Sequence, residues 1–287
     1  MSDLIVPIIT PFNERNEIDV VKMRRHADFL LQNGVDFLLL SGTTGLGPSL
    51  SYGEKVDVIE NFSDIPDRVI MQVGSLNMDE SKALARLAKK KGLRAIASLP
   101  PYYYPRVPEE WYIRFFREIS EIHPTLAYNF PLTTNYDITP SLVKKINVSG
   151  GNIVGIKDTT PDLSHMLSFR WEFSDEFKVY CGPDALILSA MRSGLNGAVP
   201  GTGNFIPKLV GSLVKEPDSV EGIETQMLVT SIAKISQKYG QWAANYSMTR
   251  IINGYDVGLP RPPMYPLSKD QEEALQSDLK KVIKVGD

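Results

Sequence analysis

The chain repeats one pattern from its start to about residue 215: a short apolar run is followed by an amphipathic stretch of helical periodicity. Each apolar run is brief, as expected for the strands of a parallel sheet that is buried on both faces. Runs in the middle of the chain are about 30 residues apart, which is the length of one strand, loop and crossover helix. The runs are residues 4–9, 35–40, 68–73, 94–99, 125–130, 152–156, 178–181 and 197–200.

Eight such units predict an α/β fold, a (β/α)8 TIM barrel. A doubly wound open sheet is the alternative, and it is disfavoured because no Gly-x-Gly-x-x-Gly turn follows the first run. We expect residues 1–215 to form the barrel and residues 216–287 to add helices that pack on it as part of a single structural unit. The C-terminal helices are predicted at residues 221–239, 241–252 and 268–285.

Capping residues and prolines predict where several helices of the barrel begin. Asp19 is expected to cap a helix over residues 20–32, and Asp79 to precede a helix over residues 80–91. Pro108 is expected to open a helix that runs to residue 122. Three more helices are predicted to begin at Pro140, Pro161 and Pro183.

Composition limits the classes of function for this 287-residue chain. The formal net charge is −3, with no basic surplus that would indicate a nucleic-acid partner. No apolar run approaches the roughly 18 residues of a membrane span, and no signal peptide is evident, so we expect a cytoplasmic protein. A lone cysteine, Cys181, excludes an intrachain disulfide framework and a cysteine-cluster metal site.

Lys157 is the most informative polar residue at a strand end, where barrels collect their catalytic groups. Strand alternation puts Ile153, Gly155 and Lys157 on one face, opposite Val154 and Ile156, so we expect Lys157 to point inwards. Partial desolvation there favours a neutral amine that can attack a carbonyl, and Gly155 is expected to leave room for it. The alternative is a lysine that simply reaches solvent.

Tyr128 lies one repeat earlier, on the strand expected to neighbour that of Lys157. A phenol beside the amine can pass protons to and from a substrate hydroxyl, although a core or rim role is commoner for tyrosines. Thr43, Thr44 and Gly45 offer hydroxyls and backbone amides that suit a carboxylate. The alternative for that loop is an ordinary strand-to-helix turn.

The three histidines, His26, His123 and His165, are scattered over predicted helices and loops. None is followed three or four residues later by a second candidate ligand. We therefore expect structural or surface roles for all three, and we predict no metal site.

Six motifs resemble those of the N-acetylneuraminate lyase and dihydrodipicolinate synthase superfamily, and within it those of the archaeal 2-keto-3-deoxygluconate aldolases. The resemblance covers nearly the whole chain. Each motif alone is weak, but their order and spacing together are specific. The motifs are residues 7–12 (PIITPF), 42–49 (GTTGLGPS), 101–106 (PYYYPR), 128–131 (YNFP), 155–159 (GIKDT) and 254–263 (GYDVGLPRPP).

The resemblance implies a barrel with extra C-terminal helices, usually a homotetramer, and a Schiff-base lysine that needs no cofactor. It implies that Lys157 is this lysine, that Tyr128 relays protons, and that a residue of the run 102–104 completes a neighbouring subunit's site. The residues that we expect to contact substrate are Pro7, Thr43, Thr44, Gly45, Tyr103, Arg106, Asn129, Phe130, Asp158, Thr159, Gly182 and Val199.

The implied activity is reversible cleavage of 2-keto-3-deoxygluconate to pyruvate and glyceraldehyde, in carbohydrate metabolism of the Entner–Doudoroff type. The expected partners are these small molecules. Dihydrodipicolinate synthases carry an arginine just after the Tyr-Asn-x-Pro segment, but here that segment continues Leu132-Thr133-Thr134. Leu46 stands where sialic-acid lyases and such synthases tend to have glutamate. Both departures favour the sugar-acid aldolase branch.

Relatives that accept a 6-phosphorylated substrate differ from this chain at two positions. The chain keeps Arg106, but it has Phe130 in place of a tyrosine and Gln237 in place of a second arginine. These losses weaken phosphate binding by about 2–4 kcal/mol, so we predict a preference for the unphosphorylated sugar acid. The alternatives are a dehydratase or another pyruvate-dependent lyase that uses the same lysine, and a catalytically silent barrel that binds a keto acid.

Overall fold

Eight parallel strands close into a barrel in the computed structural model, which describes residues 2–104 and 107–283. Each strand pairs with the next in chain order, and the last pairs with the first. The predicted TIM barrel is thereby confirmed, and the open sheet is excluded. The strands are β1 (Asp3–Pro7), β2 (Phe37–Leu40), β3 (Val69–Gln72), β4 (Ala95–Ser98), β5 (Thr125–Asn129), β6 (Ile153–Asp158), β7 (Lys178–Cys181) and β8 (Gly197–Ala198).

Helices connect the strands and continue beyond them. Three helices of the following set, α2, α5 and α9, were given no bounds from the sequence, although Ser51 and Glu54 form a capping box at the start of α2. The helices are α1 (Val20–Gln32), α2 (Tyr52–Asn61), α3 (Met78–Lys90), α4 (Glu109–Ser120), α5 (Pro131–Thr134), α6 (Pro140–Val148), α7 (Leu163–Glu172), α8 (Ile187–Arg192), α9 (Pro207–Lys215), α10 (Gly222–Lys238), α11 (Gln241–Asn253) and α12 (Lys269–Val282).

Side-chain caps decide where the helices begin. The Asp19 carboxylate accepts a hydrogen bond from the Lys22 N–H at 3.0 Å, so α1 begins as predicted. The prediction for α3 was wrong, because Asn77 and not Asp79 supplies the cap and the helix begins earlier. Pro140 opens α6 as predicted. At Pro161 the expectation was two residues early, since the cap of α7 is Asp162.

A 3-10 turn over Asp184–Leu186 separates Pro183 from α8, so the helix predicted to begin at this proline starts later, at Ile187. Strand β6 runs two residues beyond its predicted end, because Lys157 and Asp158 pair with β7. This extension places both residues within the barrel wall, in agreement with the strand alternation that was used to predict the direction of Lys157.

The strands carry an apolar layer on each face. Inward side chains such as Ile5, Leu39 and Val199 fill the barrel interior. Outward side chains such as Leu38 and Leu40 pack against the surrounding helices in the larger core. Burial of both faces explains why the strands are continuous apolar runs.

A bulge near the start of β6 reverses the predicted faces of its first residues. Thr125 pairs with Ile153, but Leu126 pairs with Gly155, so Val154 is an extra residue in β6. Ile153 packs in the outer core and Val154 against the interior cluster, opposite to the prediction. The prediction was wrong because strict alternation does not allow for a bulge.

Beyond the bulge the alternation puts Ile156 outwards and Lys157 inwards. The expected purpose of Gly155 is also corrected. A Cβ on Gly155 would lie 2.5 Å from the carbonyl oxygen of Lys178. The glycine therefore allows the close approach of β7, and it does not serve to make room for Lys157.

The C-terminal helices pack on the barrel. Helix α10 contacts α8 and α9 of the barrel as well as α11 and α12. In the Pro-rich segment, Leu259 forms two backbone hydrogen bonds of 2.9 Å with Phe12, and the Arg261 guanidinium binds Glu54. We therefore propose that residues 1–215 and 216–287 form a single unit. In the part of the chain that the structure describes, no helix is both long and apolar enough to cross a membrane.

Candidate active site

Lys157 and Tyr128 are paired residues of neighbouring strands, β6 and β5, at the C-terminal edge of the barrel. Both are buried, at 5% and 2% exposure. The Lys157 Nζ lies 3.7 Å from the centroid of the Tyr128 ring. An ammonium at this distance is attracted to the face of the ring. The Tyr128 ring therefore helps to position the Lys157 side chain when the amine is protonated.

The loop after β2 lies against this pair. The Tyr128 hydroxyl is 3.1 Å from the Thr43 Oγ1, close enough for a hydrogen bond. Thr44 is nearly buried beside it. The Thr10 hydroxyl donates to the Gly45 carbonyl at 2.7 Å and fixes the loop from below. Thr43 and Thr44 are thus held in place before any substrate binds.

Nine of the predicted site residues line a cavity of about 440 Å³ above the barrel. They come from the ends of six strands, so the (β/α)8 topology alone brings them together. The nine are Pro7, Thr43, Thr44, Tyr128, Phe130, Lys157, Thr159, Gly182 and Val199.

Helices α10 and α11 supply a wall of the cavity, of which only Gln237 was named from the sequence. Thr230, Lys234 and Gln237 line it from one face of α10. From α11, Trp242 packs against the apolar cluster of Leu99, Tyr128 and Phe130. In the sequence, a polar stripe of this spacing looks like any solvated helix face. The other unassigned lining residues are Pro131, Leu132, Thr160, Pro161, Pro183, Asp184, Ala185, Gly201, Ala233 and Gln241.

Asp184 puts a carboxylate into the wall near Lys157. Its Oδ1 accepts hydrogen bonds from the Thr202 N–H at 3.1 Å and from the Thr202 hydroxyl. Burial raises the pKa of Asp184, while these hydrogen bonds and the charge of Lys157 oppose the rise. Asp184 is therefore held in place by its own neighbours, and its carboxyl group is close enough to Lys157 for the two groups to interact electrostatically.

Four residues predicted to contact substrate do not line the cavity. Asn129 and Asp158 are completely buried and hydrogen-bonded to each other at 3.2 Å, because strand alternation turns their side chains away from the interior. Gly45 serves close packing, since a Cβ there would lie 2.5 Å from the Ile8 carbonyl oxygen. Tyr103 is 71% exposed on the surface. Arg106 lies outside the described residues.

The described residues contain no group of three histidine, cysteine or carboxylate side chains arranged to hold a metal. His26 is fully buried, with its Nδ1 2.7 Å from the Tyr255 hydroxyl and its Nε2 3.1 Å from Asn204. His123 binds the Leu93 carbonyl at 2.6 Å. His165 forms ion pairs with Asp137 and Asp158, and Asp158 directly follows Lys157 in the chain.

A second depression of about 640 Å³ lies outside the barrel, against α1. Of the two arginines that line it, Arg24 is paired with Asp64 and Arg25 stacks on Tyr255. It is remote from the strand ends, so the cavity around Lys157 is the better candidate for chemistry despite its smaller volume.

Proteins of known function are similar to this chain over nearly its whole length. The chain is 39% identical over 287 residues to the 2-dehydro-3-deoxy-phosphogluconate/2-dehydro-3-deoxy-6-phosphogalactonate aldolase of Sulfurisphaera tokodaii, which covers 98% of the chain and 97% of the relative. It is 34% identical to the 2-dehydro-3-deoxy-D-gluconate/2-dehydro-3-deoxy-phosphogluconate aldolase of Thermoproteus tenax, across 97% of the chain and 91% of the relative.

A solved structure of the Sulfolobus sulfataricus 2-keto-3-deoxygluconate aldolase, in complex with D-KDPG, superposes with a TM-score of 0.92. It is 36% identical and covers 98% of this chain and 96% of its own. Because these relatives are named as aldolases, the prediction that the chain is an enzyme of the lyase class is confirmed. The model of the dihydrodipicolinate synthetase family matches residues 1–282, and the chain therefore belongs to that family.

Proposed function

We propose that the chain is a class I aldolase that cleaves 2-keto-3-deoxygluconate reversibly to pyruvate and glyceraldehyde through a Schiff base on Lys157. The observation that carries the proposal is the buried Lys157 amine, 3.7 Å from the ring centroid of Tyr128, whose hydroxyl is 3.1 Å from Thr43. The relatives, named as aldolases of 2-dehydro-3-deoxy sugar acids, support the substrate class.

The first half of the reaction joins the enzyme to the substrate. The neutral Lys157 amine attacks C2 of the keto acid, and loss of water leaves an iminium. Thr43 and Thr44 present hydroxyls and backbone amides at the cavity wall, where they bind the neighbouring carboxylate. This anchors the substrate so that its C4 hydroxyl extends over the phenol of Tyr128.

The second half breaks the carbon–carbon bond. The Tyr128 oxygen, which gave its proton to the departing water when the iminium formed, now takes the proton of the C4 hydroxyl, directly or through the substrate carboxylate. The C3–C4 electron pair moves into the iminium, which becomes an enamine, and glyceraldehyde leaves. Protonation of the enamine at C3 and hydrolysis of the resulting iminium release pyruvate and regenerate the lysine.

Pyruvate with borohydride tests the Schiff base. Reduction of a pyruvyl imine adds about 72 Da to the intact protein. We expect this adduct on the wild type and not on Lys157→Ala. The matched control is Lys55→Ala, because Lys55 is also 5% exposed and burial lowers its pKa. An adduct on Lys157→Ala, or none on the wild type, would overturn the proposal.

We further propose a preference for the unphosphorylated substrate. Phe130 offers no hydroxyl to the cavity, and Gln237 offers no charge. Lys234 lies one turn away from Gln237 on the same face of α10. Its positive charge attracts a phosphate group and therefore opposes this preference. Comparison of kcat/KM for the two substrates decides the matter, since a clear advantage of the phosphorylated one would contradict the proposal. In Lys234→Gln the preference should increase.

The chain is also proposed to form a homotetramer. Tyr103 and Tyr104 form an exposed edge-to-face pair, 71% and 61% accessible, on the loop after β4. Aromatic residues exposed in this way are common at protein interfaces. Light scattering coupled to size exclusion tests the assembly, and Tyr103→Ala should weaken it.

A further inference from the structure

Four side chains form a closed ring behind the catalytic pair. The Asn129 amide Nδ2 donates to Asp137 Oδ1 at 2.8 Å and to Asp158 Oδ1 at 3.2 Å. The Asp158 Oδ2 lies 2.6 Å from His165 Nδ1. The ring closes through an ion pair without hydrogen-bond geometry, in which His165 Nε2 lies 3.3 Å from Asp137 Oδ2. None of the four side chains lines the cavity.

Two members of the ring directly follow the catalytic residues. Asn129 follows Tyr128 on β5, Asp158 follows Lys157 on β6, and the register pairs them in the same way. Asn129 and Asp158 are completely buried. Because successive strand residues point to opposite faces, a shift or rotation of either ring residue would move the reacting group beside it.

The ring also anchors the two loops that line one side of the cavity. Asn129 Oδ1 accepts from the Ile138 N–H at 2.9 Å and holds the far end of the segment that begins with α5 at Pro131. Asp158 Oδ1 accepts from the Thr160 N–H at 2.9 Å, which fixes the other loop. Pro131 and Thr160 both line the cavity.

His165 is the cation that compensates the buried Asp158. The carboxylates of Asp137 and Asp158 raise the pKa of His165 to about 10, so its imidazole is protonated at neutral pH. Asp162, the N-cap of α7, is a third carboxylate beside it. An unpaired buried carboxylate is costly, and removal of the imidazole would leave Asp158 without its cation.

We infer that His165 is a positioning residue: by closing the ring with Asn129, Asp137 and Asp158, it holds Lys157 and Tyr128 in the relative position that cleavage requires. The inference rests on the proposed function, since it concerns the same two reacting groups. It also explains why Asn129 and Asp158 accompany the catalytic residues in the sequence without entering the cavity.

The test compares kcat for cleavage, per folded molecule and well below the thermal unfolding midpoint, between the wild type and His165→Ala. A misplacement of about 1 Å lowers rates by up to about 10²-fold, so we expect a fall of about 10- to 100-fold. Added imidazole should restore much of kcat, and less effectively as the pH rises and imidazole loses its proton. A purely structural role would lower the unfolding midpoint but leave kcat per folded molecule unchanged.

Further variants keep the test decisive if His165→Ala folds poorly. Asp137→Asn opens the ring at its more exposed edge, and a smaller fall in kcat is expected. His123→Ala is the matched control, because His123 is also a partly buried histidine that makes one hydrogen bond, to Leu93; its kcat should stay within about threefold.

Pyruvate trapping separates the two hypotheses. No borohydride adduct on the wild type would refute the proposed function, and this inference with it. A normal wild-type adduct, together with ring variants whose kcat lies within threefold of the wild type and does not respond to imidazole, would overturn the inference alone.

Discussion

Replacement of Tyr128 by phenylalanine removes one oxygen from the centre of the cavity. The ring remains, so the contact with the Lys157 Nζ at 3.7 Å from the ring centroid is retained. What is lost is the phenol proton relay and its hydrogen bond to Thr43 at 3.1 Å. The perturbation therefore separates proton transfer from the packing of the lysine.

The two losses differ in magnitude. One net hydrogen bond contributes about 0.5–1.5 kcal/mol to the free energy of unfolding. A positioned general acid–base group contributes about 10²- to 10⁴-fold in rate, which is about 2.7–5.5 kcal/mol in the activation free energy. We therefore expect Tyr128→Phe to lower kcat for cleavage by at least 100-fold while it remains folded and still forms the pyruvate adduct.

The assay measures pyruvate release under saturating substrate, with urea unfolding in parallel. Tyr246→Phe is the matched control, because Tyr246 is 1% exposed and donates to the Thr10 carbonyl at 2.7 Å outside the cavity lining. It should lose stability of the same order without a comparable loss of kcat. If Tyr128→Phe cleaves within tenfold of the wild type, the proton-relay role is refuted.

Two further predictions concern the strands and the ring around the site. Gly155→Ala would place a Cβ 2.5 Å from the Lys178 carbonyl oxygen and should lower the free energy of unfolding by about 1–3 kcal/mol, as measured by urea unfolding. The control is Gly53→Ala, because a Cβ there has no atom within 4 Å. Equal effects of the two substitutions would contradict the prediction. His165 has a raised pKa, so its contribution to stability is complete below about pH 6.5 and is lost as the pH rises through about 10. The unfolding free energy of His165→Gln should therefore decline less between pH 7 and 10 than that of the wild type, and parallel declines would disprove the ion-pair contribution.

The barrel could be predicted from the sequence because each buried parallel strand is a continuous apolar run and each crossover has nearly constant length. The inward direction of Lys157 was also predicted correctly, although the same alternation placed Ile153 on the inward face, and that placement was wrong. The bulge that corrects this face depends on the register of β5 against β6. Register is a property of two strands, so the sequence of one strand does not contain it.

Two parts of the site could not be predicted for a different reason. The α10 wall and the ring through His165 depend on contacts between distant segments. His165 follows Asn129 by 36 residues, yet they meet at Asp158, because neighbouring strands of the barrel bring their loops to one edge. Polar residues on a helix such as α10 have the same spacing whether they face solvent or a cavity, so periodicity does not distinguish the two.

The cavity is lined partly by strand residues and partly by residues of α10 and α11, and these two groups differ in how freely they can be substituted. Lys157 and Tyr128 belong to paired strands and are the groups to which the reaction is assigned, so they cannot be exchanged without loss of the proposed chemistry. Thr230, Lys234 and Gln237 belong to a helix whose backbone hydrogen bonds are local, so their side chains can be exchanged without moving a strand. For the proposed aldolase reaction, we therefore expect substitutions in a short stretch of α10 to change which aldehyde is accepted, and directed evolution should begin there.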